Sequence, residues 1–201
     1  MSLAVSIPNS RVHRIAVSIF FFIAGFNFAS WASRIPDIKT KLGLSEAGLG
    51  AVLFSLPVGL MVSMPFAGFL VSRFGSRKVL IAVATLYPVA LIFLGLAASF
   101  WQLAAVLFTF GFFGSILNIS INTQAVGVEA LYGRSIMASF HGLWSLAGFT
   151  GAAVGTLMIS MHLSPFVHYC IVCAASFLLA FTSEKSNVNF GESFISSKGT
   201  S

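Results

Sequence analysis

Charge is what this sequence has least of. Eleven Lys and Arg with five Asp and Glu make up 8 % of its 201 residues, against about a quarter in ordinary soluble domains. A chain so poor in charge cannot clothe a water-facing surface. With 57 % hydrophobic residues, its natural solvent is lipid. Cysteine is scarce as well, with Cys170 and Cys173 the only two. Their C-x-x-C spacing occurs in redox and metal sites, but such sites need a βαβ context or a second ligand pair. Neither is visible, and two small apolar residues one helical turn apart is the reading that fits. No pair of carboxylates lies inside an apolar run, no His cluster has metal-ligand spacing, and no glycine loop is built to cradle phosphate. The sequence therefore reads as a non-enzyme that needs no cofactor and no metal. The lack of a P-loop leaves ATP-driven transport without support. The net charge of +6 sits in short gaps between apolar runs, which is an orientation signal and not a patch for nucleic acid.

What the sequence has instead is long apolar runs, at about 15–33, 47–71, 79–98, 101–123, 136–160 and 165–182. Each is long enough for a helix across the bilayer, and none has Asp, Glu, Lys or Arg in its middle. Buried strands are shorter than this, and a barrel would show short alternating segments. The first run follows Arg11 and Arg14 and continues to about Trp31. It is longer than the apolar part of a signal peptide, and further spans follow it, so it reads as an uncleaved first span. The expected organisation is a polar N-terminus over 1–13, a six-helix bundle over 14–182 and a polar tail over 183–201. The tail is rich in Ser, Asn and Gly and is expected to be disordered. Six spans divide the cations unequally. Arg11, Arg14, Arg73, Arg77, Lys78, Arg134, Lys185 and Lys198 fall on one side, and Arg34, Lys39 and Lys41 on the other. That bias predicts both termini in the cytoplasm, although the last three weaken it.

An internal repeat is expected at an offset of 83 residues. It equates Glu46 with Glu129, Ala47 with Ala130, Gly50 with Gly133, Gly59-Leu60 with Gly142-Leu143, Phe66 with Phe149 and Gly68 with Gly151. The offset superposes span 2 on span 5, which cross in opposite directions, as in folds built from inverted repeats of three helices. Small residues recurring wherever helices pack closely is the alternative.

The most specific motif joins spans 2 and 3: Gly68-Phe-Leu-Val-Ser-Arg-Phe-Gly-Ser-Arg-Lys-Val-Leu80. Gly68 and Gly75 suit close approach and a tight turn. Arg73, Arg77 and Lys78 make a basic cluster that either only sets orientation or forms a gating loop. The stretch resembles the loop 2–3 signature of the major facilitator superfamily at Gly68, Leu70, Arg73, Gly75 and Leu80, with Arg77 in the basic position. Ser72 stands where the family has aspartate. That acid latches the cytoplasmic side, and Ser72 offers no charge for such a latch. The 4–5 loop Glu129-Ala-Leu-Tyr-Gly-Arg134 and the glycine-rich fifth span (Gly142, Gly148, Gly151, Gly155) are also similar to the family, though its Gly-Pro signature in span 5 is missing. The resemblance covers roughly 11–182 and has a bacterial inner-membrane flavour near the sugar and fucose permeases. It implies an all-α membrane protein: six transmembrane helices as a 3+3 inverted repeat, half of a major facilitator fold. The chain stops where a second half would begin.

Polar residues within spans need partners and usually face the bundle interior. The candidates for binding or coupling are Asn27 and Arg34 of span 1, Asn118 and Asn122 of span 4, and His141 and Trp144 of span 5. The resemblance places the family's central cavity among these same spans. Asn118 and Asn122 share a helix face and together offer donors and acceptors to a hydroxylated or otherwise polar solute. Helix–helix hydrogen bonding without a ligand is the alternative for this pair. His141 could carry a coupling proton or be a neutral structural histidine, and Trp144 could stack on a sugar ring or simply pack. Arg34 could bind an anionic group, but a pair with Asp37 is favoured. Gly68, Ser72, Arg73, Gly75 and Arg77 make up the candidate gating loop. Three functions follow in order of weight. The first is a facilitator-type secondary transporter of a small polar solute, with or without proton coupling, completed by a second half or a homodimer. The second is a truncated half without transport activity. The third is a membrane scaffold or sensor subunit. The expected location is a bacterial inner membrane, with the lipid bilayer as the constant partner.

Overall fold

The structure, a computed structural model, describes residues 10–184. Of the expected polar ends, residues 1–9 and 185–201 lie outside them, while 10–13 and 183–184 belong to the first and last helices. Every regular element among the described residues is α-helical: α1 (Ser10–Ser33), α2 (Ile35–Leu42), α3 (Glu46–Leu53), α4 (Ser55–Phe74), α5 (Ser76–Leu96), α6 (Phe100–Tyr132), α7 (Met137–Ser160) and α8 (Pro165–Glu184). Six spans are long and apolar enough to cross a bilayer: α1, α3 with α4, α5, α6, α7 and α8. The second span is divided at Phe54, which keeps helical dihedrals (φ −63°, ψ −22°). Pro57, just beyond, has no N–H to offer the carbonyl four residues back, so the hydrogen-bond ladder is interrupted there. Pro65 and Pro88 lie inside continuous helices, as membrane helices allow.

The ends of the helices have identifiable local causes. Ser45 and Ser99 cap α3 and α6 by accepting from the backbone N–H of Gly48 (3.1 Å) and Gln102 (3.3 Å), which satisfies first-turn donors. Gly43 and Gly133 close α2 and α6 in the left-handed conformation, at φ 60° and 61°, where a side chain would be strained. Gly75 (φ 83°) turns the chain between α4 and α5. Glu129 accepts from the N–H groups of Ile136 and Met137, each at 2.8 Å, so the acid of the 4–5 loop caps the start of α7. At 33 residues, α6 is about 50 Å long and outruns a hydrocarbon core of about 30 Å.

The helices pair unequally. α1 packs chiefly on α7 and α4 on α6; α5 bridges α6 and α8, and α8 also lies against α1. Glycine permits close crossings of α1 with α7 and of α4 with α6. A Cβ at Gly25 would strike the Trp144 carbonyl oxygen, and one at Gly151 would lie 2.8 Å from the Phe26 carbonyl oxygen. At the other crossing, a Cβ at Gly59 would strike the Phe108 carbonyl oxygen, and one at Gly111 that of Leu56. Backbones this near gain dispersion contact along their whole length, which drives helix association where lipid is as apolar as the helices.

The second and fifth spans are the least covered. In each, 17 % of the apolar window is buried, against 61 % for α1 and 56 % for α5. These two spans therefore flank an open side of the bundle.

Candidate functional site

A cavity of about 310 Å³ lies on that open side and is walled by α1, α4, α5, α6 and α7. Its wall is mainly hydrophobic: Phe21 and Phe28 from α1, Leu56 and Leu60 from α4, Phe110 and Leu117 from α6. The glycine crossings shape it. Because Gly111 and Gly25 carry no side chains, α4 and α7 draw in against α6 and α1. The Trp144 indole then comes to rest 6.5 Å from the Phe28 ring.

Four polar or amphipathic groups reach this space: Tyr87, Asn118, His141 and Trp144. The last three are sequence candidates that the fold brings together. Asn118 is not a free amide. Asn122 Nδ2 donates both to the Asn118 carbonyl (2.8 Å) and to Asn118 Oδ1 (2.7 Å). This fixes the Asn118 side chain so that its NH₂ is left to donate. Asn122 is not part of the lining and acts by orienting its neighbour. His141 stands edge-on to Phe21, with centroids 5.4 Å apart, and is exposed.

Tyr87 is the site residue that the sequence did not reveal. Its ring is stacked on Phe110 at 4.3 Å, and Gly114 leaves room for it: a Cβ there would lie 3.1 Å from Cε2. No hydrogen bond engages its hydroxyl among the described residues. The one available signal was a tyrosine, of three in the chain, placed in mid-span beside Pro88. The lining contains no Asp, Glu, Lys or Arg. Such a surface suits an uncharged guest with an apolar face and a few hydroxyls or amides.

Asn27 and Arg34 lie elsewhere, on the seam between α1 and α8. Asn27 is fully buried and donates to Ser176 Oγ and the Ile23 carbonyl, both at 2.8 Å. Arg34 is 2 % exposed. Its Nη1 meets Asp37 Oδ2 at 2.5 Å, Nη2 donates to the Leu163 carbonyl at 2.7 Å, and Nε donates to His168 Nδ1 at 3.2 Å. An arginine with all three nitrogens engaged ties the α1–α2 corner to the start of α8 and has no free edge for an anion.

In the loop between α4 and α5, Ser72 is exposed and bonds back to the Phe69 carbonyl of its own helix at 2.9 Å. Arg73 lies over the Phe74 ring, 5.8 Å from the centroid. Gly75 makes the turn, whereas Gly68 has nothing near the place of a Cβ. Gln124 reaches across from α6 to Ser76 Oγ at 2.7 Å and fixes this loop to the fourth span. Cys170 and Cys173 are free thiols, and among the described residues no group of three His, Cys, Asp or Glu could hold a metal.

Comparison with known proteins agrees with this architecture. The profile of the Major Facilitator Superfamily matches residues 17–194. An uncharacterized MFS-type transporter of Yersinia pestis is 34 % identical over 152 residues, covering 76 % of this chain and 40 % of that protein. An uncharacterized transporter of Sinorhizobium fredii is 32 % identical over 155 residues, 77 % of this chain and 41 % of that one. More distantly, the arabinose-proton symporter of Bacillus subtilis is 27 % identical over 154 residues, covering 71 % of this chain and 32 % of its own length. The chain thus spans about two fifths of the two closer relatives. Six apolar helices joined in this way, together with a profile match over most of the sequence, make this an integral multi-pass membrane protein that belongs to the Major Facilitator Superfamily.

Proposed function

We propose that this bundle is one half of a facilitator-type secondary transporter and that its cavity binds a small, uncharged polar solute. The observation that carries the proposal is the lining itself: the Tyr87 hydroxyl, the oriented Asn118 amide, His141 and Trp144 among phenylalanine and leucine, with no ionised side chain. Indole and phenyl faces receive the apolar face of a sugar-like ring, while hydroxyl and amide groups hydrogen-bond its rim. The name of the Bacillus subtilis relative, an arabinose-proton symporter, is in keeping with a neutral hydroxylated solute. His141 is the proposed carrier of a coupling proton, because its imidazole, a group able to accept and release a proton, lines the cavity and is exposed.

Alternating access requires a second bundle across the site. The uncovered spans α3–α4 and α7 are the proposed contact for a second half or a second copy of this chain. Met61, Met64, Phe66 and Phe69 of α4 and Leu146 and Phe149 of α7 are exposed there. A 3+3 inverted repeat gains support from the pairing of helices: exchanging spans 1, 2 and 3 for 4, 5 and 6 turns the α1·α7 pair into the α6·α4 pair. The register of 83 residues gains none. It equates the tightly packed Gly59 with the open Gly142, and the open Gly68 with the tightly packed Gly151.

Cytoplasmic termini in a bacterial inner membrane remain the favoured placement. The three cations that count against it each have a structural task. Arg34 is held as described, Lys39 pairs with Glu46, and Lys41 donates to the Gly95 and Ala97 carbonyls at 3.1 and 2.9 Å. The last contact caps the C-terminal end of α5, where a cation is favoured.

The test is equilibrium binding of labelled pentoses and polyols to the purified chain, followed by uptake into proteoliposomes with and without a pH gradient. Asn118→Ala should weaken binding about tenfold, as loss of a hydrogen bond worth roughly 1.4 kcal/mol implies. Binding of anionic solutes in preference to neutral ones would refute the proposal.

A further inference from the structure

The asparagine pair on α6 fixes more than the position of one side chain. Asn118 and Asn122 are four residues apart and share a face of the helix. Asn122 Nδ2 donates to the Asn118 backbone carbonyl at 2.8 Å and to Asn118 Oδ1 at 2.7 Å. A backbone carbonyl can only accept, so the atom of Asn122 that meets it is the amide nitrogen and not the oxygen. The same nitrogen faces the Asn118 side chain, which must answer with Oδ1. Neither amide can turn over without losing a bond. Asn118 is exposed and lines the cavity, and its NH₂ takes part in no hydrogen bond among the described residues.

The other polar groups of the lining owe their polarity to their own chemistry. The Tyr87 hydroxyl can donate or accept, a neutral His141 can do either through its two tautomers, and the Trp144 N–H only donates. Tyr87 stands one turn before Asn118 along α6, with its hydroxyl oxygen 3.8 Å from the place of a Cβ on Gly114. Of these groups, Asn118 alone is turned into a donor by a neighbour.

We propose that Asn122 is a specificity-determining residue: it makes Asn118 a donor subsite, which demands an acceptor oxygen of the solute. The inference rests on the reading of this cavity as a site for a neutral polar solute. A ring oxygen, a carbonyl or a hydroxyl oxygen meets the demand. A group that can only donate would set N–H against N–H and leave both unpaired.

Asn122→Thr should reverse the subsite. Threonines in these helices turn Oγ1 to the carbonyl four residues back, as Thr109 does to Ala105 at 2.9 Å and Thr123 to Ile119 at 2.8 Å. A threonine hydroxyl has one proton. Once that proton is given to the Asn118 carbonyl, the hydroxyl oxygen can only accept. It then draws the Asn118 NH₂ toward itself and turns Oδ1 to the cavity.

Equilibrium binding of L-arabinose and D-xylose to the full chain, with their monodeoxy and monodeoxyfluoro analogues, reads this polarity. Fluorine accepts weakly and cannot donate, whereas a deoxy position does neither. In the unaltered chain, removing the hydroxyl that meets Asn118 should weaken binding about tenfold, and fluorine in its place only about threefold. In Asn122→Thr the fluoro analogue should fall as far as the deoxy one. Side-chain amide exchange, followed by NMR of the asparagine-labelled chain in micelles, needs no solute. The Asn122 amide should be protected and that of Asn118 should exchange with water; in Asn122→Thr, Asn118 should gain protection. Rapid exchange at Asn122, or the same fluoro-to-deoxy ratio in both chains, would overturn this inference and leave the reading of the cavity standing. If neither pentose binds while the Asn122 amide stays protected, the reading of the cavity falls and this inference with it.

Discussion

Replacing Arg34 by methionine separates two roles that a buried arginine near a membrane surface can play. In the structure the guanidinium holds three partners from two regions: Asp37, the Leu163 carbonyl and His168 Nδ1. Asp37 is 35 % exposed, so solvent screens that pair, which contributes about 1 kcal/mol or less. The other two bonds come from a charged donor to partners packed inside the bundle, and losing each costs roughly 1.5 kcal/mol, partly as an acceptor left unpaired. Methionine keeps much of the apolar stem contact. The net expectation is a loss of about 3 kcal/mol of folding stability. Arg34→Lys, which keeps the charge but not the fork, should lose less. Steric-trap or SDS titration of the refolded chain in micelles measures these differences. His168→Leu combined with Arg34→Met should cost less than the two single changes summed, because the pair shares one contact. A stability change below about 1 kcal/mol in Arg34→Met, with a large loss of anion binding, would refute the structural role and restore Arg34 as a solute site.

Three further outcomes follow from the same geometry. Gly59→Val should destabilise the bundle by about 1–3 kcal/mol or more, because its Cβ meets backbone at the α4·α6 crossing and backbone cannot give way as a side chain can. Gly148→Ala, where nothing lies near, should stay within about 0.5 kcal/mol; thermal unfolding followed by size exclusion distinguishes the two. Tyr87→Phe should leave stability unchanged and weaken solute binding by about 0.5–1.5 kcal/mol, read by equilibrium dialysis. Glu129→Ala should loosen the start of α7 through the lost cap, and amide hydrogen exchange at Ile136 and Met137 should rise.

The six spans were legible in the sequence because length and hydropathy alone decide whether a helix can cross lipid. Their faces were not. A soluble helix advertises its buried side by the contrast of apolar and polar residues, but in a membrane both the lipid side and the packed side are apolar. Asn27 and Asn118 therefore looked alike in sequence, each an asparagine in the middle of a span. The fold turns the first onto Ser176 and the second into the cavity. Glycine was ambiguous for the same reason. Gly59 and Gly142 were equated by an offset, yet one is pressed against a neighbouring backbone and the other faces open space. Tyr87 was overlooked because a phenol in an apolar run reads as bulk until its hydroxyl is found without a partner. The cations of the first loop opposed the orientation signal: their carboxylate partners, Asp37 and Glu46, are near in sequence, but the carbonyls they hold, of Gly95 and Leu163, come from distant segments. Local pattern carries no trace of such contacts.

Thiol labelling in intact membranes tests most directly whether the cavity is the wet side of the bundle and the place where solute binds. Single cysteines at Asn118 and His141, in a background with Cys170 and Cys173 changed to serine, should react with a water-soluble maleimide and be protected by the bound solute. A cysteine at Phe177 on α8, which has no part in the cavity wall, should stay unreactive. Labelling at Phe177 with none at Asn118 or His141 would contradict the assignment of the cavity.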